Sequence, residues 1–330
     1  MTVKVRNVHQ AALMSAAERL GIEVIDHMPV HGKDLVTYQR GATRVTVFDG
    51  RYEHSTTAFT HMVTDDKALT KRLLAEAGFN APAGVELDVN EAGWREAVQA
   101  AFAGPLEGRT CVVKPVHGEY GRGIRMGVRD AQTAIEQIAA LERVYDDWII
   151  EAEVEGDDLR VQIVGGSLRA ACIRRPAFVV GDGRTALSDL IDARRQEVGQ
   201  FNKRNRLDVD EEMTRLLDAQ SVRFDNVIEE GREIRLKQTA NMAKGGIAID
   251  VTDELHPAYY DWAAAVSQMF QLPLMAIDAV SADRSLDPAD GAQILEVNTV
   301  PDWLHHTFSQ RRTHDIAGMI LQSWFEDAAP

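Results

Sequence analysis

Two rhythms of apolar residues alternate along the chain. Ala11 to Leu20 carries apolar residues at helical spacing and stops at Gly21, and Ile22 to Ile25 follows as a short apolar strand. Lys33 to Arg40 and Thr43 to Phe48 alternate on a period of two around Gly41-Ala42, which predicts a hairpin. These residues, to about His61, make a small α/β unit. Helical spacing returns in Asp66 to Ala77, closed by Gly78, and in Glu91 to Ala103, broken by Gly104-Pro105, with a turn at Asn80 to Gly84 between them. Asp130 to Val144 is helical and Asp147 to Val154 is a strand. Arg160 to Val164 and Leu168 to Ile173 flank Gly165-Gly166 as a second hairpin. Helices are predicted at Thr185 to Val198, Pro257 to Phe270 and Asp315 to Phe325. Asn202 to Glu230 is charged and reads as a long insertion with little apolar surface for docking. Strands alternating with helices give an α/β or α+β class.

Length changes the picture only by allowing two or three domains within 330 residues. Charge changes it more. A net charge of −15 argues against a nucleic-acid partner, which needs a basic surface, but not against a nucleotide held in a local basic pocket. Two cysteines, Cys111 and Cys172, lie in apolar strands as small hydrophobes, and the absence of others suggests a reducing compartment. Met1 to Gln10 lacks a long apolar region and no run reaches membrane length, so a cytoplasmic protein without a membrane partner is expected.

Candidate chemistry concentrates in two places. In Gln293-Ile294-Leu295-Glu296-Val297-Asn298-Thr299-Val300-Pro301, Glu296 and Asn298 are two apart, so a strand puts both on one face. Leu274 to Val280 is a second apolar strand with Asp278 in its middle, an acid costly to bury unless a cation compensates it. A strand-end acid facing water is the ordinary alternative for either carboxylate alone. Together with the Asn298 amide they form a hard oxygen set of the kind Mg²⁺ takes while it also holds phosphates. The second place is Thr110 to Pro115, a strand ending at Lys114, which runs into His117-Gly118-Glu119-Tyr120-Gly121-Arg122-Gly123-Ile124. Gly118, Gly121 and Gly123 let backbone N–H groups approach an anion, and Lys114 and Arg122 add charge. The loop is neither a G-x-x-x-x-G-K-[ST] loop nor a kinase loop followed by H-R-D, and no G-x-S-x-G elbow supports serine-nucleophile chemistry. His305-His306 has no Cys/His partner at metal spacing and suggests a structural or substrate-contact role.

The order of these parts is Lys67, Lys114 with its loop, Glu151 and Asp158, then Asp278, Glu296 and Asn298. It resembles the ATP-grasp superfamily. The segments that carry the resemblance are Asp65-Asp66-Lys67-Ala68-Leu69-Thr70-Lys71-Arg72-Leu73-Leu74, Val113-Lys114-Pro115 and Gly181-Asp182-Gly183-Arg184-Thr185. The stretch from Ala240-Asn241-Met242-Ala243-Lys244-Gly245-Gly246 to Asp253 adds a feature of the cyanophycin-like branch. Over about Thr60 to Phe325 the chain is similar to the ATP-grasp domain of cyanophycin synthetases, to the glutathione-synthetase-like module of fused glutathione enzymes and to that of N-acetylglutaminylglutamine amide synthetases.

The resemblance implies an ATP-grasp fold with an N-terminal lobe over 1–62, a central lobe with a glycine-rich lid over 63–156 and a catalytic lobe over 157–330 that includes a 181–246 flap. It implies that Lys67, Lys114, Gly118, Gly121, Arg122 and Gly123 hold ATP phosphates, with Lys71 as the competing choice for Lys67. Glu151, Ala152 and Val154 would receive adenine and Asp158 the ribose, while Glu153 and Asp157 are neighbours able to exchange these roles. Arg174 is assigned to the γ-phosphate or acyl phosphate, Arg160 to a substrate carboxylate, and Asn241 to a substrate-side loop. For Arg175, on the other face, a surface ion pair competes. Asp278, Glu296 and Asn298 would bind one or two Mg²⁺ ions, with Mn²⁺ able to substitute.

The implied activity is an ATP-dependent carboxylate–amine ligase acting on a small carboxylic acid and an amino acid or other amine, with a homodimer as a candidate assembly. Two rivals stay open: a small-molecule kinase on the same scaffold and a non-catalytic nucleotide-binding partner subunit. The 330 residues hold neither the extra N-terminal region and Mur-ligase-like site of cyanophycin synthetases nor the glutamate–cysteine ligase module of the fused enzymes. A standalone enzyme making a dipeptide or γ-glutamyl-type amide is therefore expected, rather than a polymerase.

Overall fold

The computed structural model describes residues 6–118, 122–201 and 205–325. In chain order the elements are α1 (Val8–Arg19), β1 (Glu23–Asp26), α2 (Met28–His31), β2 (Leu35–Arg40), β3 (Thr43–Phe48), α3 (Ala58–Asp65) and α4 (Lys67–Glu76). Then come β4 (Gly84–Asp88), α5 (Trp94–Phe102), β5 (Cys111–Pro115), β6 (Arg125–Val128), α6 (Ala131–Leu141), β7 (Asp147–Ala152), β8 (Asp157–Val164), β9 (Ser167–Arg175) and β10 (Phe178–Val180). The rest are α7 (Leu187–Phe201), α8 (Glu211–Ala219), β11 (Glu233–Arg235), β12 (Ile247–Asp250), α9 (Ala258–Phe270), β13 (Met275–Ser281), α10 (Pro288–Gly291), β14 (Ala292–Asn298) and α11 (Ile316–Phe325).

The chain forms two compact units, each discontinuous in sequence. Their limits differ from boundaries at 62 and 156. The first gathers residues 1–53, 170–252 and 302–330. Here β1, β2 and β3 make an antiparallel sheet, and the predicted hairpin closes with Arg40 opposite Thr43. Helix α1 packs on α11, and its Leu13, Ala16 and Ala17 are fully buried. Strand β12 pairs with β9 from Ile247↔Arg175 to Asp250↔Cys172.

A second core in this unit corrects the expectation for 202–230. Leu207, Met213, Leu217, Val222 and Ile228 are buried against Ala177, Val179, Leu187, Ile191, Ile234 and Leu236. Asp210 caps α8 through the Met213 N–H and pairs with the buried Lys237 ammonium at 2.5 Å. A Cβ at Gly181 would lie 2.2 Å from the Glu229 carbonyl oxygen, so close backbone approach selects glycine there. The described part, 205–236, should therefore resist trypsin at Arg215 and Arg223 in the ligand-free protein. Leu217→Ala should cost about 2–4 kcal/mol and open those sites. Rapid cleavage of the unsubstituted protein there would count against a packed segment.

The second unit gathers residues 54–169 and 253–301. Its first sheet runs β4-β7-β5-β6, all antiparallel, and packs on α5 and α6 through Trp94, Val98, Leu106, Val113, Ile138, Trp148 and Ile150. Its second layer has β13 between β8 and β14. Strand β13 is apolar almost throughout because it is buried, with Met275, Ala276, Ile277 and Ala279 all fully covered.

Candidate active site

Lys67 opens α4. Asp66 caps that helix by accepting from the Leu69 N–H at 2.8 Å, and Gly78, at φ +85°, lets the chain leave it. A lysine at a helix start opposes the macrodipole and needs anionic or carbonyl partners. The structure supplies them. The Lys67 ammonium donates to the carbonyls of Gly118 at 2.9 Å and Val116 at 3.3 Å, and stands 3.9 Å from a Glu296 oxygen. The start of the glycine loop is thereby tied to the carboxylate end of β14.

One helical turn on, Lys71 points elsewhere. Its ammonium and that of Lys114 share the Glu151 carboxylate; Lys114 donates to it at 2.5 Å and Lys71 makes a short contact to its other oxygen. All three side chains are at most 11% exposed. Burial opposes ionisation of Glu151, but Lys114 and then Lys71 overcome it and hold the carboxyl below its usual range. Burial pushes Lys71 down to about 8, and the neighbouring Lys114 charge adds to the effect. The adenine hinge expected at Glu151 and Ala152 concerns the backbone of this strand; the Glu151 side chain is the counter-ion of the two lysines. The Ala152 N–H donates to Ala83 and the Glu153 N–H to Thr110, both at 2.8 Å. Val154 and Asp158 follow, half-buried, at the end of β7 and the start of β8.

Of the loop itself, Gly121 lies outside the described residues with Glu119 and Tyr120. Gly118 is half-buried and Arg122 is exposed. Gly123 has φ +75°, and a Cβ there would come 2.8 Å from Pro115 Cγ, so no other residue fits without strain.

Asp278 faces Glu296 across β13 and β14, and Ala276 faces Asn298. The Asn298 amide donates to Glu296 at 3.2 Å and to Asp278 at 3.4 Å. Asp278 is not a water-facing strand end; it is buried, and the cation that compensates it is Arg160, 2.7 Å away. Arg160 sits directly opposite Asp278 on β8 and is itself buried. The structure thus gives the Arg160 fork to Asp278, where a substrate carboxylate had been expected. Its Nε has no hydrogen-bond partner among the described residues. Among those residues no three His, Cys, Asp or Glu side chains group around a metal position. The donor set is two carboxylates and one amide. So small and hard a set fits an ion that fills most of its shell with water and substrate phosphates, the habit of Mg²⁺.

Arg174 and Asn241 belong to the other unit. Arg174 lies opposite Ala248 in the β9–β12 pair. Arg175 makes the expected surface ion pair, with Glu233 at 2.6 Å, and covers the Phe178 ring. The Asn241 side chain caps the turn Met242–Lys244 by accepting from the Ala243 N–H. His305 and His306 are buried within Trp303–Thr307.

A cleft of about 430 Å³ opens in the second unit, lined by Asp66, Glu86, Asp88, Glu91, Trp94 and Asp147 among others. Its carboxylates make it a poor seat for phosphates.

The solved structure of a bifunctional glutathione synthetase from Pasteurella multocida superposes with a TM-score of 0.72, covering 98% of this chain and 44% of that one at 21% identity. The chain carries the ATP-grasp fold. It is 32% identical over 274 residues to the cyanophycin synthetase of Crocosphaera subtropica, which takes in 80% of this chain and 31% of the relative. It is 26% identical over 330 residues to the glutathione biosynthesis bifunctional protein GshAB of Mannheimia succiniciproducens, with 94% and 42% covered. The chain therefore spans less than half the length of these relatives. No protein-family model matches it. Among the described residues no helix is long and apolar enough to cross a membrane.

Three features escaped the sequence: the sharing of Glu151, the side-chain role of Lys71, and the Arg160–Asp278 pair. The one available signal was the i, i+4 spacing of Lys67 and Lys71, which sets two ammonium groups along one helix face.

Proposed function

We propose that this ATP-grasp chain is an ATP-dependent carboxylate–amine ligase that forms an amide through an acyl phosphate. The observation that carries the reading is the position of Lys67, bonded to the glycine-loop carbonyls of Val116 and Gly118 and 3.9 Å from Glu296. A cationic seat for phosphates and a carboxylate–amide set for a divalent cation thereby adjoin within one unit. The relatives' names, cyanophycin synthetase and a glutathione biosynthesis protein, support amide-bond ligation as the reaction class.

In this reading a substrate carboxylate oxygen attacks the γ-phosphorus of ATP. The bond to the β–γ bridging oxygen breaks, ADP leaves, and an acyl phosphate forms. An amine that has lost a proton then attacks the acyl carbon and expels inorganic phosphate. Lys67 and Lys114 neutralise the nucleotide phosphates, and the loop amides around Gly118 and Gly123 add oriented donors. Bound at Asp278, Glu296 and Asn298, Mg²⁺ would offset charge developing on the phosphate oxygens. Arg160 holds the Asp278 carboxylate in place. The roles implied for Arg174 and Asn241 are part of the same proposal.

Phosphate release should be screened across pairs of amino acids with Mg-ATP, with products read by mass spectrometry. The ligase reading expects free phosphate and an amide only when acid and amine are both present. ADP formation with a single hydroxylated substrate and no free phosphate would favour a kinase. Lys114→Ala should lower kcat/KM by about 10²–10³-fold, divided between ATP binding and turnover. The fold should survive, because Lys71 still balances Glu151. Unchanged ATP affinity and rate would mean that the loop cradles something else.

A further inference from the structure

Helix α4, strand β5 and strand β7 bring Lys71, Lys114 and Glu151 together over a small apolar seat of Ala68, Val116 and Ile149. Two ammonium groups and one carboxylate cannot all be ionised there without a surplus positive charge. A surplus charge removed from water is costly unless an anion arrives or one group gives up its charge. Lys114 also stands at the end of the strand that leads into the glycine loop, so it is the member of the trio nearest the proposed phosphates in sequence.

We infer that Lys71 is a positioning residue of the nucleotide site, which holds Glu151 in the absence of nucleotide and takes up a proton when nucleotide phosphates engage Lys114. The inference rests on the ATP reading above and deepens it. Before binding, Glu151 is divided between two donors. Phosphate oxygens then supply Lys114 with its own anion, Glu151 becomes available to Lys71 alone, and the ammonium form of Lys71 is stabilised. The proton comes from solvent; no covalent bond changes.

The groups that face Lys71 are Glu151 on β7 and Lys114 on β5. On α4 itself Lys67 is turned away to Val116 and Gly118, and Arg72 is paired with Glu86 on β4. None of these except Glu151 offers Lys71 a negative charge. Without nucleotide, burial and Lys114 bring Lys71 to about 8. The sign follows: below pH 8 the proton is already bound and affinity is flat, and above pH 8 binding must draw a proton from solvent and weakens. Nucleotide affinity should fall about tenfold between pH 7 and pH 9.

The test is calorimetric titration of the intact protein with Mg²⁺ and a non-hydrolysable ATP analogue, at pH 8, in buffers of different ionisation enthalpy. The dependence of the observed enthalpy on the buffer counts protons. About half a proton should be taken up per nucleotide by the wild-type protein. Lys71→Met and Lys71→Arg should both lose this uptake, the first because the side chain cannot ionise and the second because it never deprotonates. Their affinities should vary less than twofold from pH 7 to pH 9. A purely packing role for Lys71 would change affinity without removing the buffer dependence. Nucleotide binding by the wild-type protein without proton uptake, or uptake that persists in Lys71→Met, overturns the inference and leaves the ligase reading standing. Absence of any nucleotide binding overturns both.

Discussion

Glu296→Gln is expected to lower turnover by at least about a hundredfold with little change in melting temperature. The side chain is 31% exposed, so the substitution removes a charge from a wet site and takes no volume from the core. Its neighbours tolerate an amide, since Asn298 can still donate to the remaining carbonyl oxygen and Lys67 keeps its two backbone acceptors. What is lost is one of the two carboxylates that would hold the divalent cation, and with it much of the charge compensation for the transferring phosphoryl group. Steady-state phosphate release and a thermal-shift measurement on the same preparation separate the two effects. Wild-type turnover in this variant at ordinary Mg²⁺ concentration would sink the assignment of Glu296.

Where one element carried its own signal, the sequence was legible. Alternation around Gly41 gave the β2–β3 hairpin, and a periodic run closed by Gly78 gave α4. Period-two spacing paired Glu296 with Asn298 on β14. The misses share a physical cause. Strand β4 is five residues long and hid behind the turn at Asn80 to Gly84; its Gly84 is set by a neighbouring strand, since a Cβ would lie 2.8 Å from the Ile150 carbonyl oxygen. Helix α8 looked like part of a solvated loop because Met213 and Leu217 stand among Glu211, Glu212, Arg215 and Asp218. The apolar residues that complete its core are scattered from Ala177 to Leu236, so no single window is hydrophobic. The same holds for charge. A buried Asp278 asks for a cation, which could be read; that the cation is Arg160, 118 residues away, could not. Lys71 and Glu151, 80 residues apart, meet only because β7 lies between β4 and β5 with α4 packed beside Ile149 and Val116.

Arg160→Met should destabilise the second unit by about 3–5 kcal/mol, the usual consequence of removing one member of a buried ion pair. Asp278 and Arg160 have side chains only 5% and 4% exposed, so neither can turn to water for compensation. The unpartnered Nε of Arg160 indicates that the guanidinium is held mainly by this one carboxylate. Removing the arginine therefore takes from Asp278 its 2.7 Å ion-pair partner more than it disturbs packing, and methionine fills much of the vacated length. Arg160→Met combined with Asp278→Asn should recover most of the loss, because a neutral pair no longer carries an unbalanced charge. A double-mutant cycle from urea unfolding would give the coupling directly. Mg²⁺ should raise the stability of Arg160→Met more than that of the wild-type protein, since a cation at Asp278 then replaces the missing one, and it should leave the double variant unaffected. A loss under about 1 kcal/mol in Arg160→Met, or an Mg²⁺ effect equal in all three proteins, would show that Asp278 is compensated by some other group and would separate Arg160 from the proposed cation site.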